Sequence, residues 1–138
     1  MQEKSDYRKS HVAPDKGIDY ETTFSVFNYR KYIWDWEKEI LKKIFVKYLS
    51  NKINIKYLDF ACGTGRVINF LEKDVSESIG VDISDSMISI ARAKVKKSKI
   101  INVDLTKNNI FNEKYFDIIT SFRFFLNAQP ELREEILD

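Results

Sequence analysis

Gly63 and Gly65, one residue apart, stand between Tyr57-Leu58-Asp59-Phe60 and Val67-Ile68-Asn69-Phe70-Leu71, and no other stretch limits the fold of this chain as much. An apolar run ends in a carboxylate, turns through Ala61-Cys62-Gly63-Thr64-Gly65 and continues with helical apolar spacing, which reads as strand, tight turn, helix. Glycine permits positive φ and lets a ligand approach where a Cβ would collide. The following helix turns free N–H groups and the positive end of its dipole toward the same space. Strand-to-helix turns of this kind cradle nucleotide cofactors in open α/β sheets.

The rest of the chain repeats the alternation. Glu77-Ser78-Ile79-Gly80-Val81-Asp82-Ile83 reads as a second strand, Lys99-Ile100-Ile101-Asn102-Val103-Asp104-Leu105 as a third, and Tyr115-Phe116-Asp117-Ile118-Ile119-Thr120-Ser121-Phe122 as a fourth. Between the second and third, Ser84 can cap a helix with Asp85 in its first turn and lysines at its end, its buried stripe being Met87, Ile90, Ala91 and Val95. Pro130 fits the first turn of a last helix. The order β-α-β-α-β-linker-β-α implies an α/β fold with a doubly wound, mostly parallel sheet. With 138 residues, 43% of them hydrophobic, the chain can build one core and not two.

Ahead of the first strand, residues 23–49 carry helical periodicity in Ile33, Trp36, Ile40, Ile44 and Tyr48, joined by Leu41 and Phe45, as one helix or as two with a break near Asn28. Packing is the favoured role for Trp34 and Trp36. Residues 1–19 mix charges with Ser, His, Pro and Gly and are expected to form a flexible arm or an irregular lid, leaving 20–138 as the domain. His11, the single histidine, reads as a solvated side chain of that arm rather than a base.

A formal net charge of +2 gives no sign of a nucleic-acid binder. No segment resembles a signal peptide or a bilayer-crossing run, and the single cysteine can form no internal disulfide, so the expected compartment is the cytoplasm. Cys62 lies within the turn with no histidine near it in sequence to activate it and reads as a small spacer. No metal site is expected.

Asp59, Asp82 and Asp104 each end a strand or follow it closely, and parallel strands bring such ends to one crevice. Asp82 lies about twenty residues beyond the glycines, the spacing at which an acid reaches a ribose hydroxyl pair. A dinucleotide fingerprint would place a third glycine where this chain has Ile68, and Asp59 would repel phosphate. A cationic or zwitterionic nucleoside such as S-adenosylmethionine fits better.

Leu58-Asp59-Phe60-Ala61-Cys62-Gly63-Thr64-Gly65 resembles the first motif of class I S-adenosylmethionine-dependent methyltransferases. Gly80-Val81-Asp82-Ile83-Ser84 with Met87, the acid Asp104, and Phe116-Asp117-Ile118-Ile119-Thr120-Ser121-Phe122 are similar to the later motifs, so the resemblance spans 53–138. It implies a Rossmann-like fold with S-adenosylmethionine as cofactor. By position it implies Gly63 and Gly65 along the methionine and ribose, Asp59 near the ammonium, and Asp82 on the ribose hydroxyls. Ile83 and Met87 would flank the adenine, Asp104 and Leu105 would meet its edge, and Ser121 with Phe122 would border the methyl. Ala61 stands where the common pattern has a glycine, and Arg30 or Tyr29 would close over the cofactor's carboxylate. No catalytic residue is assigned. The family fold carries seven strands and this sequence supplies four, so the chain is expected to be truncated relative to it, with the fourth strand as an open edge suited to self-association. The expected activity is methyl transfer to a small-molecule acceptor, no Asn/Asp-Pro-Pro-Tyr/Phe signature being present. The alternative is a non-catalytic Rossmann-like binding or oligomerisation module, with a dehydrogenase a weaker third reading.

Overall fold

The structure, a computed structural model, describes residues 7–12, 14–26 and 28–137, with the backbone alone at 10, 11, 20, 23–26 and 28. Helices α1 (Tyr7–His11), α2 (Lys16–Val26) and α3 (Asn28–Leu49) precede the first strand. Then follow β1 (Lys56–Phe60), α4 (Arg66–Leu71), a 3-10 turn over Glu72–Asp74, β2 (Glu77–Asp82) and α5 (Asp85–Lys94). The chain continues with β3 (Lys99–Asn102), β4 (Ile118–Thr120), α6 (Phe124–Asn127) and α7 (Pro130–Leu137).

The four strands form one parallel sheet in the order β3-β2-β1-β4. β1 is central, with Leu58 beside Ile79 on one side and Ile119 on the other. Parallel strands need cover on both faces, and the two faces are covered differently. On one, Leu41, Phe45 and Leu49 of α3 join Val67, Ile68 and Leu71 of α4 and Ile88 and Ala91 of α5 around Tyr57 and Ile100. Full burial of one such aliphatic side chain stabilises the fold by roughly 1.5–3 kcal/mol. On the other face Leu58, Ile79 and Val81 lie under the irregular segment after β3, through Val103, Leu105, Phe111 and Phe116. A third cluster, Phe124, Ala128 and Leu132, packs with Tyr7, Phe60 and Ile136 at the end of the sheet where the strands stop.

Several local expectations shift. Whether residues 23–49 form one helix or two turns on Phe27, which lies outside the described residues; α2 runs to Val26 and α3 starts at Asn28. The face that α3 turns to the sheet is set by Trp34, Leu41, Phe45 and Leu49, while Trp36, Ile40, Ile44 and Tyr48 are exposed. The helix carries two apolar stripes of equal period, and only the sheet selects between them. In α5 the buried residue beside Met87 and Ala91 is Ile88 rather than Ile90. Ser84 is the N-cap by position, but its hydroxyl caps nothing; it meets Ser86 Oγ at 3.3 Å. β4 is three residues long, and α6 lies between it and α7.

Of the stretch expected as a flexible arm or irregular lid over 1–19, residues 1–6 and 13 lie outside the described residues, while 7–11 form α1 and 16–19 begin α2. Both pack on the domain: Tyr7 sits edge-on to Phe124 with ring centroids 5.3 Å apart, and the Gly17 N–H donates to Ser86 Oγ at 3.3 Å. The side chain of His11 lies outside the described residues. No helix among the described residues is long and apolar enough to cross a membrane.

Candidate functional site

The glycine turn stands at the end of the central strand, where residues 61–65 must reverse the chain into α4. Ala61, Gly63 and Gly65 all take positive φ, at 55°, 56° and 76°. The Gly65 N–H donates to the Cys62 carbonyl at 3.0 Å, and the Cys62 N–H to the Val81 carbonyl at 3.0 Å, which prolongs the β1–β2 pairing into the turn. The two glycines serve different ends. A Cβ on Gly65 would lie 2.9 Å from Ala91 Cβ, so this glycine lets α5 pack against the turn. A Cβ on Gly63 would meet nothing nearer than Met87 Sδ at 3.5 Å, and this glycine faces an open hollow.

Asp82 ties the turn to the second strand. Its Oδ2 accepts the Gly63 N–H at 2.8 Å and its Oδ1 the Ser84 N–H at 2.9 Å. A carboxylate has about four lone-pair positions, so two backbone donors leave room for hydroxyl donors from a ligand.

Asp59, 1% exposed, sits deeper. The Thr120 hydroxyl donates to its Oδ1 at 2.8 Å, and because that hydroxyl has one proton, the Tyr57 hydroxyl must donate to Thr120 Oγ1 across 2.6 Å. Burial pushes the Asp59 carboxyl up to about 7 against the pull of the Thr120 hydroxyl and the Ile68 amide, which closes no hydrogen bond to Oδ2. Burial also raises the Cys62 thiol well above its usual range, with Asp59 and Asp82 adding to the effect, so this sulfur is a poor nucleophile.

Two hollows open at the strand ends. The first, about 50 Å³, is lined among others by Ala61, Asp82, Ile83, Asp104 and Leu105 together with Tyr7 and Arg8 of α1. The second, about 70 Å³, is lined among others by Asp59, Ala61, Gly63, Thr64, Asp82, Met87, Phe122 and Arg123, again with Tyr7. Ala61, Asp82 and Tyr7 border both. Of the residues expected from the family motifs, Gly65 and Ser121 stand apart from both hollows. Ser121 faces a larger apolar space of about 710 Å³ along the open side of β4, with Phe116, Ile119 and Phe125. Phe122 takes the place at the second hollow that the sequence shared between it and Ser121.

Sequence reasoning missed two arrangements. Glu37 of α3 accepts from Arg66 at 3.2 Å and from Arg123 at 2.9 Å, and Arg66 lies 4.3 Å over the Trp34 ring, so three elements meet beside the second hollow. Arg30 and Tyr29, expected over the cofactor's carboxylate, are exposed on α3. At the first hollow, Arg8 Nε lies 3.4 Å from Asp104 Oδ2, while Asp104 Oδ1 accepts the Thr106 N–H and hydroxyl. The position of Arg66 directly after Gly65 was the one legible signal among these.

The donors at the two hollows suit a ligand with paired hydroxyls and a positive charge. Asp59 Oδ2 and Thr64 Oγ1 are buried and without a hydrogen-bond partner among the described residues, which is costly unless a ligand satisfies them. Three carboxylates at one sheet edge would repel a phosphate.

The sequence pattern of a methyltransferase domain matches residues 58–138, more than half of the chain. The demethylmenaquinone methyltransferase of Lactococcus lactis subsp. lactis is 24% identical over 127 residues, covering 87% of this chain and 48% of that protein. That of Bacillus cereus is 28% identical over 127 residues, covering 87% and 51%. Among solved structures, the magnesium protoporphyrin IX methyltransferase of Synechocystis PCC 6803 with bound S-adenosylmethionine superposes with a TM-score of 0.70 at 17% identity, over 94% of this chain and 66% of that one. The plantazolicin methyltransferase BpumL in complex with S-adenosylhomocysteine gives 0.65 at 24% identity, over 90% and 48%. The chain spans about half the length of the curated relatives it matches. A matched domain pattern, a parallel sheet in the order 3-2-1-4 and acids at three strand ends agree on one family: this chain belongs to the class I S-adenosylmethionine-dependent methyltransferases.

Proposed function

We propose that this chain binds S-adenosylmethionine across the two hollows and directs its methyl group to a small-molecule acceptor. The observation that carries this reading is Asp82, whose carboxylate borders both hollows and is fixed by the Gly63 and Ser84 amides with acceptor capacity to spare. In this reading Asp82 takes the ribose hydroxyls, Ile83, Asp104 and Leu105 hold the adenine in the first hollow, and Ala61, Gly63 and Met87 border the methionine side. Asp59 with Thr64 would meet the ammonium end, and the Arg66–Glu37–Arg123 group would meet the carboxylate. The cofactor supplies a methyl group on a sulfonium, a good leaving group, so the protein's share is alignment and exclusion of water. A base is needed only where the acceptor must lose a proton.

Calorimetric titration with S-adenosylhomocysteine tests the reading. Asp82→Ala is expected to weaken binding by about 1–3 kcal/mol through lost charge-assisted hydrogen bonds. A folded wild-type chain that takes up no S-adenosylhomocysteine sinks it. The cytoplasm is the proposed compartment.

A second reading adds self-association. Beside β4, which among the described residues pairs with β1 alone, Ile119 and Leu126 are 59% and 83% exposed, and the 710 Å³ apolar space opens there. An open edge beside apolar surface is a template for pairing with a second copy of the chain.

A further inference from the structure

The two hollows are too small for the ligand their walls suit. At about 50 and 70 Å³ they fall well below the roughly 300–1,000 Å³ of ordinary small-molecule sites. α1 is the element that reaches both, since Tyr7 borders the two hollows and Arg8 borders the first. Tyr7 packs edge-on against Phe124, and its backbone N–H donates to Gln129 Oε1 at 3.4 Å. Arg8 spans to the opposite wall. Its Nε lies 3.4 Å from Asp104 Oδ2, and its Nη2 donates to Thr106 Oγ1 at 2.6 Å and to Glu135 Oε2 at 3.2 Å.

We infer that α1 is a gate that holds the cofactor site shut, with Arg8 as its latch. This rests on the reading that the hollows take S-adenosylmethionine. Arg8 occupies the carboxylate that the adenine edge would address, and Tyr7 stands at the junction of the two hollows. The nucleoside enters only when the Arg8 contacts to Asp104, Thr106 and Glu135 let go and α1 swings out. A protein that spends part of its time latched binds more weakly than its open form by the fraction of time it is open. Loosening the latch therefore tightens apparent binding and speeds association, whereas a residue that gripped the bound cofactor would weaken binding when removed.

The experiment compares the full chain with Arg8→Gln and Glu135→Gln. The second variant removes one partner of the latch without touching the first hollow. Hydrogen exchange over residues 7–12, read by mass spectrometry without any ligand, is expected to quicken in both variants. Stopped-flow and calorimetric titration with S-adenosylhomocysteine are expected to show Arg8→Gln associating faster and binding about threefold to tenfold tighter, with Glu135→Gln moving the same way by less. Unchanged exchange over 7–12 in both variants overturns the latch. Equal or weaker binding by Arg8→Gln, with wild type binding normally, overturns the gate while the cofactor reading stands. Failure of all three proteins to bind removes the cofactor reading, and the gate with it.

Discussion

Asp59 joins stability to the site through a single proton. Its carboxyl, buried at the end of the central strand, titrates at about 7 in the folded chain, chiefly because burial disfavours the charge. In the unfolded chain an aspartate titrates near 3.9. Between those values the native state holds the extra proton, so this group's contribution to unfolding free energy falls as pH rises from about 4 to about 7 and is level above. Asparagine keeps an oxygen for the Thr120 hydroxyl and removes the titration. The stability difference between Asp59→Asn and wild type should therefore move in favour of the variant by about 2–3 kcal/mol between pH 5 and pH 8. Urea melts of the two proteins across that range measure it, and parallel profiles would show that Asp59 does not carry the shift. The same proton bears on binding, because a cationic ligand beside Asp59 favours the charged form.

At the scale of elements, Glu72 shows how a junction is fixed by one side chain. It lies just after α4, and its carboxylate accepts the N–H groups of Lys96, Lys97 and Ser98 and the Ser98 hydroxyl at 2.8–2.9 Å. These amides lie past the end of α5, beyond its closing hydrogen bond from the Val95 N–H to the Ala91 carbonyl. Burial opposes the charge on Glu72, but the four donors outweigh it and hold the carboxyl below its usual range. Its stabilisation is therefore present above the unfolded value near 4.3 and is lost as pH falls through the lower folded one. Glu72→Gln is expected to cost about 1–3 kcal/mol at pH 7, and less at pH 3, in denaturant melts. An equal loss at both pH values would assign the effect to shape rather than charge. The lysines there were legible as helix-end charges, but their backbone role was not. What sequence carries well is local: the acids at the strand ends, the glycine turn, the alternation of elements. The inward face of α3 was hidden because two stripes of one period compete, and the arm because one short helix leaves little periodic signal. Glu37 with Arg66 and Arg123, and Arg8 with Thr106, join residues 29, 86 and 98 positions apart, and spacing says nothing about such pairs.

Across the whole molecule, the site draws on both ends of the chain: α1 and α3 come before the first strand, Arg123 and α7 after the last. Glu37 gathers the guanidinium groups of α4 and of the loop before α6, so the walls of the second hollow are set by helices that the sheet alone would leave independent. The sheet is covered unequally, by three helices on one face and an irregular segment on the other, which thins toward β4. There Ile119, Leu126 and Leu137 are exposed beside the large apolar space, while Trp36, Ile40 and Tyr48 line the outer side of α3. Apolar surface beside a three-residue edge strand makes a second copy the expected occupant, because strand pairing and apolar burial then act together. Sedimentation velocity should show a dimer that grows with concentration. Ile119→Lys tests the edge itself, because a charge at this exposed position is easily solvated in the monomer but faces apolar surface in the dimer. The variant should stay monomeric while binding S-adenosylhomocysteine as wild type does, since Ile119 borders neither hollow. A wild-type chain that is monomeric at every concentration, or a dimer untouched by the lysine, removes the edge from consideration.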